Sequence, residues 1–161
     1  MPKPGKMAHY LVIASDLPAL EGRPMKARSV LDLMHQHRRW EFPERSGQAK
    51  LKKGDRLFFY LGSGVRCIVG EAVVAGPAQP IGKDSPVTFD RNLFPYFVWR
   101  MPLEDFQLYP GDGANLDLIM ELSFARNSTV TRPYVGLLLR VGMRALTEED
   151  VVLIRKRGGA S

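Results

Sequence analysis

The fold is decided by one stretch of the chain, LKKGDRLFFYLGSGVRCIVGEAVV, which occupies residues 51–74. A charged Gly-Asp turn opens it, and two apolar runs follow that are joined through the Gly-Ser-Gly segment 62–64. Glycine permits the positive φ that a tight hairpin connection needs, and the flanking runs are rich in aromatic and β-branched residues. The stretch therefore predicts a β-hairpin from Arg56 to Val74, of the kind found in small barrels.

The segments before the hairpin predict a strand, a helix and a loop. The run His9–Ala14 is β-branched and aromatic, as in a strand, and apolar residues recur at helical spacing from Ala27 onward. We expect a helix of about three turns there, since a proline just upstream suits a helix start. Segment 35–47 has no clean period and predicts a loop that carries two exposed or half-exposed aromatics, Trp40 and Phe42.

The segments after the hairpin complete an α+β pattern. Residues 75–86 are rich in Gly and Pro and cannot continue a central strand. We expect a strand over Phe94–Met101 and a short helix over Asn115–Phe124, which could also be a buried strand. A further strand over Tyr134–Val141 and a last helix over 147–156 follow. The sequence Thr147-Glu-Glu-Asp150 is typical of a capping box at the start of that last helix. Together these elements predict a small α+β barrel of about five to six strands with flanking helices.

Bulk composition indicates one globular domain. The chain has 161 residues, of which 45% are hydrophobic and 25% charged, close to the averages for globular proteins. We expect a domain over residues 9–156 between two flexible tails, 1–8 and 157–161. No apolar run approaches the roughly 20 residues that a membrane span needs, and the first residues lack the apolar core of a signal peptide. We therefore expect a cytoplasmic protein with no membrane partner.

The sequence gives no sign of a metal or cofactor. A single cysteine, Cys67, cannot form an internal disulfide or a thiolate zinc cluster. His35 and His37 would point about 200° apart on a helix, a poor geometry for one metal ion. The formal net charge of +6 favours polyanions, because attraction to phosphates depends little on sequence.

Four blocks of sequence resemble the EVE domain of the PUA-like superfamily, a relative of the YTH readers of methylated RNA. They span almost the whole chain, from Tyr10 to Ile154. The blocks are the opening strand with Ser15-Asp16; the Lys53-Gly54-Asp55 turn with Phe59-Tyr60 and Ile68–Ala72; Phe94–Arg100; and Leu122–Asn127 with Arg140 and Leu146–Asp150.

The resemblance implies a cage that tests whether a flipped-out or single-stranded base carries a modification such as a methyl group. A base offers a π-face to stack on and polar edges to read, so such a cage combines aromatic walls with polar groups. The residues that we expect to form it are Ser15, Asp16, Trp40, Tyr60, Phe89, Phe94, Ser123, Phe124 and Asn127. The arginines that we expect to track phosphates are Arg28, Arg38, Arg39, Arg91, Arg126 and Arg140.

The hypothesis is thus a non-catalytic, monomeric module that reads a modified base in DNA or RNA, with 5-methylcytosine-type DNA placed first. One alternative is a hydrolase of modified nucleosides like some ASCH domains, which share the barrel. Their Gly-x-Lys-x-x-Glu-x-Arg type of signature is absent, although Glu71 could serve acid–base chemistry if burial tuned it. The other alternative is a protein-docking module.

Overall fold

The fold is built on one curled, mixed β-sheet that forms a half-barrel. In a computed structural model of the chain, the described residues are 8–14, 26–42, 50–61, 67–80, 99–109, 121–126 and 143–158. Seven strands lie among them: β1 (His9–Ala14), β2 (Arg39–Phe42), β3 (Arg56–Leu61), β4 (Cys67–Val74), β5 (Gln79–Pro80), β6 (Trp99–Leu108) and β7 (Met143–Leu146). Their order is β2-β6-β4-β3-β1-β7, and the short β5 pairs with β6. The predicted α+β fold is confirmed.

The predicted hairpin is the centre of the sheet. Strands β3 and β4 pair antiparallel, from Arg56 opposite Val73 to Leu61 opposite Cys67. Strand β1 lies parallel to β3 on its other side, and β7 pairs antiparallel with β1. The connection 62–66 lies outside the described residues.

Both faces of this central hairpin are buried, which explains its nearly continuous apolar sequence. Successive side chains of a strand point to opposite faces. Leu57, Phe59 and Leu61 accordingly enter one core cluster, together with the buried face of the first helix. Phe58 and Tyr60 enter a second cluster on the other face, where they meet the helical segments near the C-terminus.

In the described part of the chain, three helical segments cover these two faces. They are α1 (Ala27–His37), the single turn α2 (Ser123–Arg126) and α3 (Glu148–Gly158). The predicted apolar face of α1 is confirmed, since Ala27, Val30, Leu31 and Met34 are buried. No helix in the described part of the chain is both long and apolar enough to cross a membrane.

The predicted capping box at the start of α3 is confirmed. The backbone N–H of Asp150 donates to Oγ1 of Thr147 at 3.1 Å, and the backbone N–H of Thr147 donates to Oδ2 of Asp150 at 3.0 Å. These reciprocal bonds satisfy amides that a helix start leaves without intrahelical partners. The helix continues to Gly158, past its expected end at Lys156.

The predicted loop over residues 35–47 is wrong in its described part. Helix α1 continues to His37, and residues 39–42 form β2, which pairs antiparallel with β6. A strand this short carries too few residues to show an alternating pattern in the sequence.

The expected strand Phe94–Met101 proves longer at its C-terminal end. Strand β6 runs from Trp99 to Leu108, while residues 94–98 lie outside the described part. Of the expected helix Asn115–Phe124, the described part shows only the turn α2 at its C-terminal end. The expected strand Tyr134–Val141 also lies outside the described residues.

A buried carboxylate fastens α3 to the sheet. Glu71 on β4 accepts hydrogen bonds from Nη1 of Arg56 at 2.8 Å, from Nη2 of Arg155 at 2.9 Å and from the hydroxyl of Tyr109 at 2.5 Å. Burial disfavours the charged form of Glu71 and by itself would raise the pKa of this carboxyl group. The hydrogen bonds from Arg155 and Tyr109 and the charges of Arg155 and Arg56 outweigh that effect, so the pKa of Glu71 lies below its usual value.

We expect Gly70→Ala to destabilise the protein by about 1–3 kcal/mol, as overpacking does. A Cβ atom at Gly70 would lie 2.6 Å from the backbone oxygen of Gln107, so β4 and β6 would have to move apart. Gly54→Ala is the matched control, because a Cβ there meets nothing within 4 Å and strains only the backbone at φ +95°. Urea unfolding compares the two variants. Equal costs would contradict the close approach of β4 and β6.

We expect Glu71→Gln to lower the free energy of unfolding at pH 7 by on the order of 2 kcal/mol. This is less than the roughly 3–5 kcal/mol typical of breaking a fully buried ion pair, because Arg155 is partly exposed. The folded pKa of Glu71 lies below its reference value of 4.5, so its charge stabilises the fold above that pH. That stabilisation is lost as the pH falls through the folded pKa.

Urea titrations of wild type and variant at pH 7 and pH 3.5 measure the difference. It should shrink at the lower pH, and the exposed control Glu149→Gln should show no comparable change. A difference that stays constant with pH would mean that the charge of Glu71 does not stabilise the fold.

Candidate functional site

The end of α1 holds an arginine in a constrained backbone conformation. Arg38 caps the helix with φ 54° and ψ 47°, in the left-handed region that favours glycine. Its carbonyl oxygen accepts the backbone N–H of Leu103 on β6 at 2.8 Å. A side chain in this conformation costs on the order of 1–2 kcal/mol. The backbone is therefore fixed on both sides, and the exposed guanidinium extends from a rigid base.

Three arginines meet in a cleft between α1, β2, β5 and β6. We call it the basic cleft. It has a volume of about 390 Å³ and is lined by His37, Arg38, Arg39, Pro77, Gln79, Pro80, Arg100 and Pro102. Pairing of β6 with β2 on one side and with β5 on the other places Arg100 opposite both Glu41 and Gln79.

A buried carboxylate, that of Glu41, lies beside Arg39 and Arg100. Oε2 of Glu41 lies 2.9 Å from Nε and 2.7 Å from Nη2 of Arg100, and 4.0 Å from Nε of Arg39. Glu41 is 3% exposed, so its charge is committed to the arginines rather than to solvent.

Positive charge remains in excess in the basic cleft. Among the described residues, the lining carries three guanidinium groups, and one carboxylate, that of Glu41, lies beside two of them. Burial and the charge of Arg100 lower the pKa of Arg39, and the charge of Glu41 only partly opposes them. An anion placed in the cleft would relieve this repulsion, and guanidinium groups offer paired donors that match phosphate oxygens.

The structure brings together some of the arginines that we expected to contact phosphates. Arg38 and Arg39 both line the basic cleft. Arg28 does not line it, lies exposed on α1 and pairs with Asp32 at 3.3 Å. Arg126 ends α2, and Arg91 and Arg140 lie outside the described residues.

Sequence reasoning missed Arg100 and Glu41 as members of this site. Arg100 lies in the segment Phe94–Met101, for which the sequence predicts only a strand. Glu41 could not be recognised as a partner of Arg100, because residues 39–42 were expected to form a loop and not a strand that pairs with β6. Residues 39–42 are too few to give a recognisable strand pattern, so no sequence signal indicates that Glu41 lies beside Arg100.

The expected position of Trp40 is wrong. It lies on β2, not in a loop, and is only 4% exposed. Its ring is tilted against that of Phe59 with 5.1 Å between centroids, inside the core cluster under α1. Tyr60, another predicted cage residue, belongs to the second cluster, so the sheet separates it from Trp40.

The other described cage residues serve the packing of the C-terminal helices. The Ser123 hydroxyl donates to Oδ2 of Asp150 at 2.5 Å, which links α2 to the capping box of α3. Phe124 is half-buried, and the guanidinium carbon of Arg144 lies 6.0 Å from its ring centroid. Outside the described residues lie Ser15, Asp16, Phe89, Phe94 and Asn127. The cage therefore stays a prediction.

The partners of Glu71 restrict the chemistry open to this residue. Glu71 has three hydrogen-bonding partners and a lowered pKa, so it carries no proton to donate near neutral pH. Within the described ranges, no group of three or more His, Cys, Asp or Glu side chains could hold a metal ion.

Comparison with known proteins identifies the fold. No family model and no curated protein matches this chain. Among solved structures, the ASCH protein of Zymomonas mobilis superposes with a TM-score of 0.57 at 11% identity, over 92% of this chain and 94% of that chain. The chain has a PUA-like α+β fold, which it shares with this ASCH protein.

Two further structures agree with the PUA-like fold. The protein Rpa0253 of Rhodopseudomonas palustris superposes with a TM-score of 0.54 at 18% identity, over 95% of this chain and 94% of that one. The DUF55 domain of human thymocyte nuclear protein 1 superposes with a TM-score of 0.52 at 17% identity, over 95% and 99%. At these identities the likeness establishes the PUA-like fold and not an activity.

We expect Trp40→Ala to destabilise the protein by about 3–5 kcal/mol, because it removes a buried indole from the core. Trp99→Ala is the matched control, since Trp99 is half-exposed and should cost less. Urea unfolding at pH 7 measures both. A Trp40→Ala variant as stable as wild type would show that the indole is not part of the core.

Proposed function

We propose that this protein binds a single-stranded nucleic acid and holds its phosphates in the basic cleft. The observation that carries the proposal is the meeting of Arg38, Arg39 and Arg100 in one cleft, where the buried carboxylate of Glu41 lies beside the last two. Phosphates are the anions whose geometry guanidinium groups match, and a strand presents several in a row. The formal net charge of +6 supports long-range attraction of the same partner.

The shape of the basic cleft favours a phosphate backbone over a small free anion. Its volume of about 390 Å³ exceeds what one phosphate group fills, and Pro77, Pro80 and Pro102 supply apolar walls against which a sugar can lie. The prolines also give the walls little freedom to move, since the ring fixes φ. The basic cleft thus offers both charged surface for phosphates and apolar surface for sugars.

The finer proposal is that the bound strand presents a modified base, with 5-methylcytosine in DNA placed first. Its support is the sequence resemblance to EVE domains over four blocks of the chain. The burial of Trp40 restricts that indole to a supporting role behind a cage. The direct contacts would then fall to the predicted residues Ser15, Asp16, Phe89, Phe94 and Asn127.

Labelled single-stranded 12-mers, followed by fluorescence anisotropy at several salt concentrations, test the backbone proposal. We expect Arg38→Gly to weaken binding and to reduce the slope of log K against log salt by about 0.7, the value for one phosphate contact of a single strand. Glycine suits the backbone of residue 38, so the fold should not suffer.

The matched control is Arg28→Gln, which removes the same charge from the exposed part of α1. It should leave the slope unchanged. If both variants lower the slope equally, binding is spread over the surface and the basic cleft is not the site.

Competition between oligonucleotides with cytosine and with 5-methylcytosine tests the finer proposal, and a preference for the methylated strand supports it. Incubation with modified nucleosides followed by mass analysis tests the hydrolase alternative, since released product would identify an enzyme. Absence of oligonucleotide binding in every arm would leave protein docking as the function to pursue.

A further inference from the structure

A second cleft also has Arg38 in its lining. It contains two residues of the described chain whose backbone conformation is rare for residues other than glycine. In the described part of the chain, the non-glycine residues with positive φ are Arg38 at 54° and Asp105 at 49°. Both line a cleft of about 490 Å³, which we call the bulge cleft. Its lining is His35, Gln36, Arg38, Leu103, Glu104, Asp105, Phe106 and Gln107. Strained backbone of this kind collects at binding sites.

A β-bulge in β6 creates the outer wall of the bulge cleft. Glu71 pairs with Gln107 and Val73 with Glu104, so two steps along β4 match three steps along β6. The extra residue in β6 bends the strand and re-aims its side chains, as bulges do. Asp105 and Phe106 lie within this bulged segment.

The bulge cleft has a rigid aromatic element. Phe106 is half-buried and stacks on Phe59 with 4.8 Å between ring centroids and 14° between ring planes. The ring of His35 meets it edge-on at 5.1 Å and 87°. Phe106 is thus fixed on the side of the core while it contributes to the cleft wall. A flat heterocycle could pack there at little entropic cost.

The polar groups of the bulge cleft select against a second phosphate. Glu104 and Asp105 are exposed carboxylates, which repel anions and accept hydrogen bonds from amino groups. Gln36 and Gln107 add amide donors and acceptors. The fitting occupant is therefore uncharged, planar and supplied with N–H donors, which describes a nucleobase with an exocyclic amino group.

Arg38 connects the two clefts, because it lines both of them. We propose that the bulge cleft takes an unpaired base with an exocyclic amino group, which is cytosine, adenine or guanine, from the strand whose phosphates lie in the basic cleft. This inference rests on the proposed function, and it concerns a different base from the one expected in the modified-base cage. One nucleotide then spans the two clefts, its phosphate on one side of Arg38 and its base on the other.

The carboxylates of Glu104 and Asp105 determine which bases the bulge cleft prefers. Cytosine presents its N4 amino group and adenine its N6 amino group, both donors, whereas thymine presents the O4 acceptor at the corresponding place. Glu104 and Asp105 accept from the first two and repel the third. The bulge cleft should therefore discriminate against thymine.

Anisotropy with dC12 and dT12 at pH 8, where cytosine is uncharged, tests the inference. We expect wild type to bind dC12 about fivefold more tightly than dT12, which corresponds to one good base contact. In the double variant Glu104→Gln, Asp105→Asn the ratio should fall close to one. Asparagine tolerates the positive φ of residue 105, so the bulge should persist.

The matched control is the double variant Asp32→Asn, Glu149→Gln, which removes two exposed carboxylates that do not line either cleft. Both double variants raise the net charge equally, so both should strengthen binding to each oligonucleotide. Only the first should lose the preference for dC12. The ratio, rather than the affinity, therefore reports on the bulge cleft.

The outcomes separate this inference from the proposed function. Equal binding of dC12 and dT12 by wild type, still weakened by Arg38→Gly, overturns the base site and leaves the basic cleft standing. A preference that survives in Glu104→Gln, Asp105→Asn also overturns the base site. Failure of wild type to bind either strand overturns the proposed function and this inference with it.

Discussion

Strand β6 pairs with three different strands along its length, and the rest of the molecule depends on how it does so. Its first residues pair with β2 and β5, and its later residues pair with β4. The close approach of β4 is possible because Gly70 has no side chain to hold the backbone of Gln107 away. The change of partner along one strand curls the sheet and opens surface on either side of the end of α1.

The two clefts are therefore products of the same strand. Arg100 comes from the part of β6 that pairs with β2, and Asp105 and Phe106 come from the bulged part that pairs with β4. Arg38 lies between them because Leu103, also on β6, hydrogen-bonds to its carbonyl oxygen. A site assembled in this way needs no long loops, since regular backbone pairing fixes most of its members.

Local sequence signals predicted the parts of the fold that local physics decides. The hairpin from Arg56 to Val74, helix α1 and the capping box at Thr147 follow from spacing, turn residues and hydrogen-bonding side chains close in sequence. The extent of β6 could not be predicted, because Pro102 and Glu104 interrupt any apolar run and only pairing with distant strands makes the segment regular.

The candidate site was predictable only in part, because pairing between distant strands brings some of its residues together. Arg38 and Arg39 stand out as adjacent basic residues, whereas Arg100 joins them only through the pairing of β2 with β6. Trp40 was expected in a loop because segment 35–47 shows no clean period. Its burial against Phe59 depends on a strand too short to leave a pattern in the sequence.

The pairing of β1 has a consequence for how the molecule is made. This strand lies between β3 and β7, and its His9 bonds to Glu148 across a separation of 139 positions. Contacts between such distant segments demand a large loss of chain entropy before they yield any gain, so they slow folding. The apolar strand β1 therefore keeps one edge without its native partner until β7 has been synthesised.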